Sequence, residues 1–384
     1  MTAIKYIPLL LKNLLRKKTR TILTILSIAV ALLLYGLLAA IHSAFYQGIE
    51  VAGADRLIVR NKISLIMSLP LSYLERIRQI DGVTGATMAV WFGGVYQDER
   101  NFFPQFAIQP EDYLKMFPEF RVPAGQMAEV MRDREACIAG KSTAEKYGWK
   151  IGDRIPIQAA IWGTGETWEF NLRGIYTGTR PEDDTTQLWL RYDYLDERRQ
   201  LGKGGVGWYT VKVTDPEDSL RVAKAIDDMF ANSPHETTSV PEKEFARGFV
   251  KQFGNIELLI MSIGGIVLFT LLLVTGNTMA MAVRERMGEL AVLKTVGFTD
   301  GIVLRLVLAE SLLIAVVGGA LGICLAKLFT LGGDPTRGML PSFHLSTRFM
   351  VIGMAIAVLV GIASGIIPAV LAMRLRIVDA LRRV

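Results

Sequence analysis

Histidine and cysteine are almost missing from this chain, with three and two among 384 residues. His42, His235 and His344 stand far apart without a metal-ligand spacing, so no metal centre is expected. A phosphate-binding loop is missing too. Gly140-Lys141-Ser142 resembles the end of a Walker A sequence, but Glu135 holds the place of the first glycine. Both glycines are needed if backbone amides are to wrap phosphates. Gly202-x-Gly204-x-x-Gly207 matches a dinucleotide fingerprint by letters, yet it precedes the strand-like run WYTVKV, whereas the fingerprint opens a helix. Both motifs read as turns. The acid pairs Asp183-Asp184 and Asp227-Asp228 read as solvated surface, and no catalytic cluster emerges.

Charge is scarce in four long stretches, in a chain that is 51% hydrophobic with mean hydropathy +0.33. A helix rises about 1.5 Å per residue and must cross roughly 30 Å of hydrocarbon, which takes about 20 apolar residues. Thr21–Ile41 and Leu258–Val283 carry no charge, Ile302–Ala326 contains only Arg305 and Glu310, and Phe349–Met373 is clean. The first run is too long, and its leader too long, for a cleaved signal. The expected fold class is therefore a membrane protein of four transmembrane α-helices, with a large α+β domain inserted between the first and second. Cys137 lies in that domain and Cys324 in the third span, so they cannot pair, and both are expected to be buried thiols.

Basic residues set the orientation. Residues 1–20, the loop after the second span counted through Arg305 at the start of the third, and the C-terminal tail together hold 14 Lys and Arg against four acids, while Tyr46–Asn255 holds 26 basic and 30 acidic residues. Both termini are thus expected in the cytoplasm and the insert outside it. The pI of 9.2 is a topology signal and gives no reason to expect nucleic acid.

The expected order is an amphipathic cytoplasmic helix over 1–20, a first span over 21–45, and an external domain over 46–255 with a β-rich insert at about 134–200. A second span (256–283), a cytoplasmic loop helix (284–301), a third span (302–326), a short external loop (327–348), a fourth span (349–373) and a cytoplasmic tail (374–384) follow. Within the domain, Arg56–Arg60, Val83–Tyr96, Arg154–Ile161, Thr167–Tyr176 and Gly207–Val213 read as strands. Leu71–Ile80, Glu111–Phe117 and Asp218–Phe230 read as helices, and Glu242–Phe253 is expected to run almost unbroken into the second span. Of the aromatics Trp91, Phe92, Phe102, Phe103, Trp162, Trp168 and Trp189, most are expected in the core. Glu257, Glu310 and Lys327 are expected near the membrane faces, within reach of water or headgroups. Gly318-x-x-x-Gly322 and Gly361-x-x-x-Gly365 permit close helix approach, either within the chain or at a dimer seam.

The strongest local signal is Arg284–Thr299, RERMGELAVLKTVGFT. Met287, Leu290, Leu293 and Val296 are expected to form one apolar stripe of a short helix, with Gly297 closing it. This run resembles the MacB/FtsX/LolC-type ABC transporter permeases, the mechanotransmission family, in its Arg, Glu, then Glu-Leu-x-x-Leu-Lys-x-x-Gly pattern. Glu310, the glycines of the third span, the closing Pro368-Ala-x-x-Ala-x-Arg pattern and the leader Lys12–Thr21 also fit, as does Cys137–Asp153. The resemblance implies a permease that is no enzyme and binds no cofactor. ATP and Mg would sit in a separate ABC ATPase, because no fused ATPase lies in these residues. It also implies a second permease copy, as a homodimer or a pseudo-dimer, lipid around it, an external adaptor or outer-membrane channel, and a bacterial inner-membrane location. Arg284, Glu285, Arg286, Glu289, Leu290, Leu293, Lys294 and Gly297 would form the ATPase contact. The work done would be drug or peptide efflux or lipoprotein release; the alternative is an FtsX-like transmitter that switches a cell-wall enzyme and moves no substrate.

Overall fold

The computed structural model describes residues 16–162, 165–180, 183–251, 254–332 and 343–374, with no side-chain description at 47–51 and 249. Residues 1–15 of the amphipathic helix expected over 1–20, most of the tail and much of the 327–348 loop lie outside the described residues, while Lys18–Arg20 belong to the first spanning helix. Contacts divide the chain into a helical unit, holding residues up to Ser43 and most of those from Asn255 onward, and a mixed unit, Ala44–Gly254.

Four helices are long and apolar enough to span a membrane: α1 (Lys18–Val51), and then α9 (Ile256–Glu285), α11 (Asp300–Leu331) and α12 (Thr347–Met373). Between α1 and α9 the chain forms β1 (Arg56–Asn61), β2 (Leu69–Pro70), α2 (Tyr73–Arg78), β3 (Val83–Trp91), β4 (Gln105–Ile108), α3 (Pro110–Met116) and β5 (Phe120–Arg121). Next come α4 (Ala124–Arg132), β6 (Ala136–Gly140), α5 (Lys141–Tyr147), β7 (Arg154–Gln158), β8 (Thr167–Gly178), β9 (Leu188–Arg191) and α6 (Tyr192–Arg198). The unit closes with β10 (Gly205–Val206), β11 (Trp208–Val213), α7 (Ser219–Phe230), β12 (Thr237–Pro241) and α8 (Glu242–Lys251). The fold is thus four spanning helices with a mixed α+β unit inserted after the first.

One sheet runs through the mixed unit in the order β12-β1-β11-β3-β4-β9-β6-β8-β5, with β7 added on β8. Side chains alternate across it, as a period of two requires. On one face Leu57, Val59, Met88, Val90, Tyr209 and Val211 pack with Leu74 and Ile77 of α2 and Val222, Ile226 and Phe230 of α7. On the other, Ala89, Ile108, Ile138, Tyr176 and Trp189 pack with Tyr113 and Met116 of α3 and Val130 of α4. Trp189 stacks on Tyr176 at 3.8 Å between centroids. Phe92, Phe103, Trp168 and Trp189 are core as expected, Trp91 and Trp162 are half-buried, and Phe102 is exposed. Cys137 is buried, which pushes its thiol pKa up, whereas Cys324 is exposed on its helix rather than buried.

Three local expectations need correction. Gly140-Lys141-Ser142 is no simple turn but a strand-to-helix junction. There Ser142 N–H donates to the Thr185 carbonyl, and a Cβ on Gly140 would lie 2.0 Å from that oxygen. A phosphate is excluded by the protein's own backbone. The run from Val83 ends as a strand at Trp91, where Gly93 turns at φ +63°. Most consequential, α8 does not continue into the second span. It ends at Lys251, Gly254 adopts φ +89°, and the Asn255 side chain accepts from Leu258 N–H as a fresh N-cap.

Within the helical unit, glycines bring the spans together. A Cβ on Gly318 would meet Ile25 O at 2.9 Å, and one on Gly322 would meet Ala29 O at 2.3 Å, so both face the backbone of α1. Gly361 and Gly365 face α11, where a Cβ would meet Ala315 Cβ at 2.8 Å and Ser311 Oγ at 2.1 Å. The structure thus puts all four against helices of the same chain, and none of them on an open seam.

Candidate coupling site

The loop between the second and third spans contains one short helix, α10 (Met287–Thr295). It starts where Arg286, at φ −109° and ψ 12°, leaves the α9 helix. It stops at Gly297, whose φ of +105° suits glycine. There Gly297 N–H donates to Lys294 O and Phe298 N–H to Leu293 O, both at 3.1 Å. This 5→2 and 6→1 pair is a Schellman motif, which satisfies the last carbonyls of the helix.

Four of the eight expected contact residues point inward. Arg286 Nη1 donates to both oxygens of Glu310 on α11, at 2.8 and 3.0 Å, and the Glu310 side chain is only 6% exposed. Glu310 therefore does not reach water, as the sequence suggested, but neutralises a cation from the loop. Lys294 donates to the Met373 carbonyl at the end of α12, at 2.6 Å, and pairs with Asp300 at 2.8 Å, its side chain 7% exposed. That carbonyl is one a helix end leaves without an intrahelical donor. Leu290 is buried with Met279, Val283, Val303 and Val307, and Leu293 packs against the same cluster. Lys327 likewise is satisfied within the protein, donating to Leu345 O at 2.9 Å.

Two more residues are paired at the surface. Glu285 accepts from Arg20 at 2.6 Å and pairs with Lys17 at 2.8 Å, and Glu289 pairs with Arg16. These bonds tie the loop to the start of α1. Such exposed pairs contribute little to stability because water and salt screen them, so they orient the loop more than they hold it. Arg284 and Gly297 are exposed.

The apolar stripe differs from the expected one. Leu290, Ala291 and Leu293 face inward, but Val296 is 75% exposed, and with it Val292 at 51%. Val292 and Val296 are four apart and so share a helix face. Sequence reasoning missed Val292 because the loop offers more apolar residues than one stripe can use. The signal was available in the spacing Glu289, Val292, Val296, a second stripe that leaves the lysine and the arginine off it. Among the described residues no group of three or more His, Cys, Asp or Glu could hold a metal.

A bundle of four spanning helices with an inserted α+β unit, and a loop helix bonded to the bundle, defines a multi-pass membrane protein. Residues 21–229 match the model of the MacB-like periplasmic core domain, and residues 261–377 match the FtsX-like permease C-terminal model. The chain belongs to the MacB/FtsX-type ABC-transporter permeases. It is 24% identical over 398 aligned positions to an uncharacterized ABC transporter permease of Methanocaldococcus jannaschii, covering 97% of this chain and 96% of that one. It is 30% identical over 221 positions to the macrolide export ATP-binding/permease protein MacB of a Shewanella species, covering 53% of this chain and 33% of that protein. The chain thus spans about a third of the MacB relative it matches. Among solved structures, the periplasmic region of MacB from Actinobacillus actinomycetemcomitans aligns at TM-score 0.39 and 14% identity, over 52% of this chain and 95% of that one.

Proposed function

We propose that this chain is the permease through which an ABC ATPase, carrying ATP and Mg, drives movement of the mixed unit on the far side of the membrane. The work done is export or extraction of a substrate such as a drug, a peptide or a lipoprotein. The ATPase acts on the cytoplasmic side, where the basic residues concentrate, and a second permease copy completes the assembly. One observation carries this reading: the segment Glu285–Lys294, which holds α10, follows the second span directly and is bonded to the other three, through Glu285 and Glu289 to residues 16–20 at the start of α1, Arg286 to α11 and Lys294 to α12. A push on this one helix reaches every span. The outward face around Val292 and Val296 is the docking surface, and Arg286, Leu290, Leu293 and Lys294 are the struts behind it.

The buried polar residues of the described spans, Thr24, Ser43, Thr275, Glu310, Ser311, Thr330 and Ser364, are few and mostly uncharged. Ionisable groups usually mark a path for ions or protons, so their scarcity supports relay of force over a hydrophilic conduit. It equally suits an FtsX-like transmitter that switches an external cell-wall enzyme. Co-purification with such an enzyme, rather than with an adaptor or outer-membrane channel, decides between the two.

The test is the pair Val292→Lys and Val296→Lys in the full chain, purified with its co-purifying ABC ATPase. Permease-stimulated ATP turnover should fall more than tenfold while the chain inserts and folds as before. Unchanged stimulation would remove this face from the mechanism.

A further inference from the structure

The mixed unit is entered by the chain at Ala44 and left at Gly254. Just inside these two crossings lies a buried cation. Arg56 opens β1, and the antiparallel register of β1 with β12 pairs Leu57 with Pro241, so Glu242 at the start of α8 falls opposite Arg56. Arg56 Nε donates to Glu242 Oε2 at 2.6 Å, and the same oxygen accepts from Gly53 N–H at 2.8 Å. The remaining guanidinium nitrogens turn the other way. Nη2 pairs with Glu119 Oε1 at 2.9 Å, and Nη1 lies 3.3 Å from Glu119 Oε2 and 3.4 Å from Met116 O. Phe117 lies beneath, its ring centre 4.6 Å from the guanidinium carbon. Only 7% of the Arg56 side chain is exposed.

A surface position would cost far less than burying one cation and two carboxylates, and a well-packed apolar trio often does as well for stability. What charge offers here is reach. The planar fork of arginine presents five donors in fixed directions, and it uses them to extend the β1–β12 pairing onto α8 and to add a third segment that no ladder joins to either strand. The segments so joined are the stretch after the first span, the start of the helix that leads to the second, and residues 116–119. The last segment continues into β5, at the far end of the sheet, where Phe120 and Arg121 pair with Gly178 and Thr177 of β8.

We propose that Arg56, with Glu242 and Glu119, is the point at which movement enters the mixed unit. Glu242 clamps the outgoing and returning chain together, so the first two spans act on the unit as one, and Glu119 passes the displacement to the β5–β8 end. Gly254, at φ +89°, interrupts the helix here, so the ion pair of Arg56 and Glu242 rather than a continuous helix is what ties α8 to β1. The proposal rests on the force-relaying permease described above. Arg56 is a positioning residue in it, not a catalytic one.

The experiment follows hydrogen–deuterium exchange in the full chain with its co-purifying ABC ATPase in nanodiscs, with and without trapped nucleotide. In the unaltered protein nucleotide should change uptake over 284–299, over 52–61 with 237–242, and over 117–121 with 174–178. Glu242→Ala should keep the first change and reduce the other two at least fivefold. Glu242→Gln, whose amide oxygen still accepts from Gly53 and Arg56, should restore them. Glu119→Ala should lose only the 117–121 and 174–178 response, and it serves as the decisive variant if Glu242→Ala fails to fold by tryptophan emission. A loss caused by loosened structure alone would raise uptake without nucleotide and would not be rescued by glutamine. Full-sized responses in both alanine variants would overturn the proposal, as would an unaltered protein that responds over 284–299 and nowhere in the mixed unit. No response over 284–299 in the unaltered protein would instead overturn the permease function itself.

Discussion

Replacing Glu310 by glutamine tests whether the loop helix is held from within. In the structure Arg286 makes two charge-assisted hydrogen bonds to Glu310, and the pair is nearly sealed, at 15% and 6% side-chain exposure. Hydrogen bonds to charged groups contribute about 1.5–3 kcal/mol each, and removing one partner of a buried pair costs about 3–5 kcal/mol because the other charge stays buried. Glutamine still accepts one bond, and Arg286 sits beside a loop, where it can move toward water. We therefore expect the lower end, about 3 kcal/mol. At roughly 2–4 °C per kcal/mol for a unit of 150–250 residues, the helical transition should fall by about 6–12 °C. All six tryptophans, Trp91 to Trp208, lie in the mixed unit. Tryptophan emission should thus report an unchanged transition while far-UV circular dichroism reports the shifted one. The double change Arg286→Met with Glu310→Leu removes both charges and should recover most of the loss. A shift below about 2 °C in Glu310→Gln, or a double variant no better than the single one, would refute the argument that an unpaired buried charge is the cause.

Gly322→Ala should destabilise the helical unit by about 1–3 kcal/mol, the usual cost of overpacking, because its Cβ would lie 2.3 Å from the Ala29 carbonyl oxygen. Gly264→Ala, whose Cβ meets nothing within 4 Å, should show only the helix-propensity gain of roughly 0.5–1 kcal/mol; thermal melts of the two variants side by side check both. The mixed unit should lose stability in acid. Burial raises the Asp133 carboxyl, but hydrogen bonds from Arg173, Asn171 and the Glu135 N–H outweigh it, so its pKa lies below the ordinary value. Asp196 is lowered in the same way, burial being outweighed by the Gly204 N–H and Arg199. Carboxyls lowered in the fold stabilise it fully above their unfolded pKa, near 3.9, and lose that contribution as pH falls through the folded value. The tryptophan transition should therefore hold steady above about pH 5 and drop below about pH 4, less steeply in Asp133→Asn; an equal slope in that variant would remove Asp133 from the account.

Much of this architecture was legible because the membrane imposes one simple demand. Twenty apolar residues without charge have few other uses, and the four spans fall where hydropathy put them. Strands such as Arg56–Asn61 and Trp208–Val213 were visible through their branched and aromatic residues. What stayed hidden depends on direction and on partners distant in sequence. Glu310 and Arg286 are 24 residues apart, and nothing in either neighbourhood shows that they meet. Composition also could not tell which apolar residues of the loop face in, since Leu290, Val292, Leu293 and Val296 are chemically alike and only the packing against Met279, Val283 and Val307 sorts them. The almost unbroken run expected from α8 into the second span is interrupted at a glycine. Helical periodicity continues through Gly254 on paper, whereas its positive φ ends the helix and Asn255 begins another.

That break bears on how any push crosses the chain. A continuous helix transmits rotation because each turn is bonded to the next, but a turn at φ +89° followed by a new N-cap carries no such torque. Two joints with opposite properties then stand along the path. At the loop, α10 is fixed to its surroundings by a buried ion pair, a lysine on a helix-end carbonyl and an apolar face, so little displacement is lost there. At Gly254 the helical path is interrupted, and stiffness has to come from side chains on the far side of the interruption. The Arg56 cluster supplies it, since β1 and β12 are already paired along five registers and Glu242 extends that pairing onto the α8 helix. On the force-relaying function proposed above, displacement along the strands would be passed on, while twist of the second span about its own axis would be lost at the glycine. Restoring helix across this joint, by Gly254→Ala with Asn255→Ala, should let twist through and impair coupling even though it adds helix.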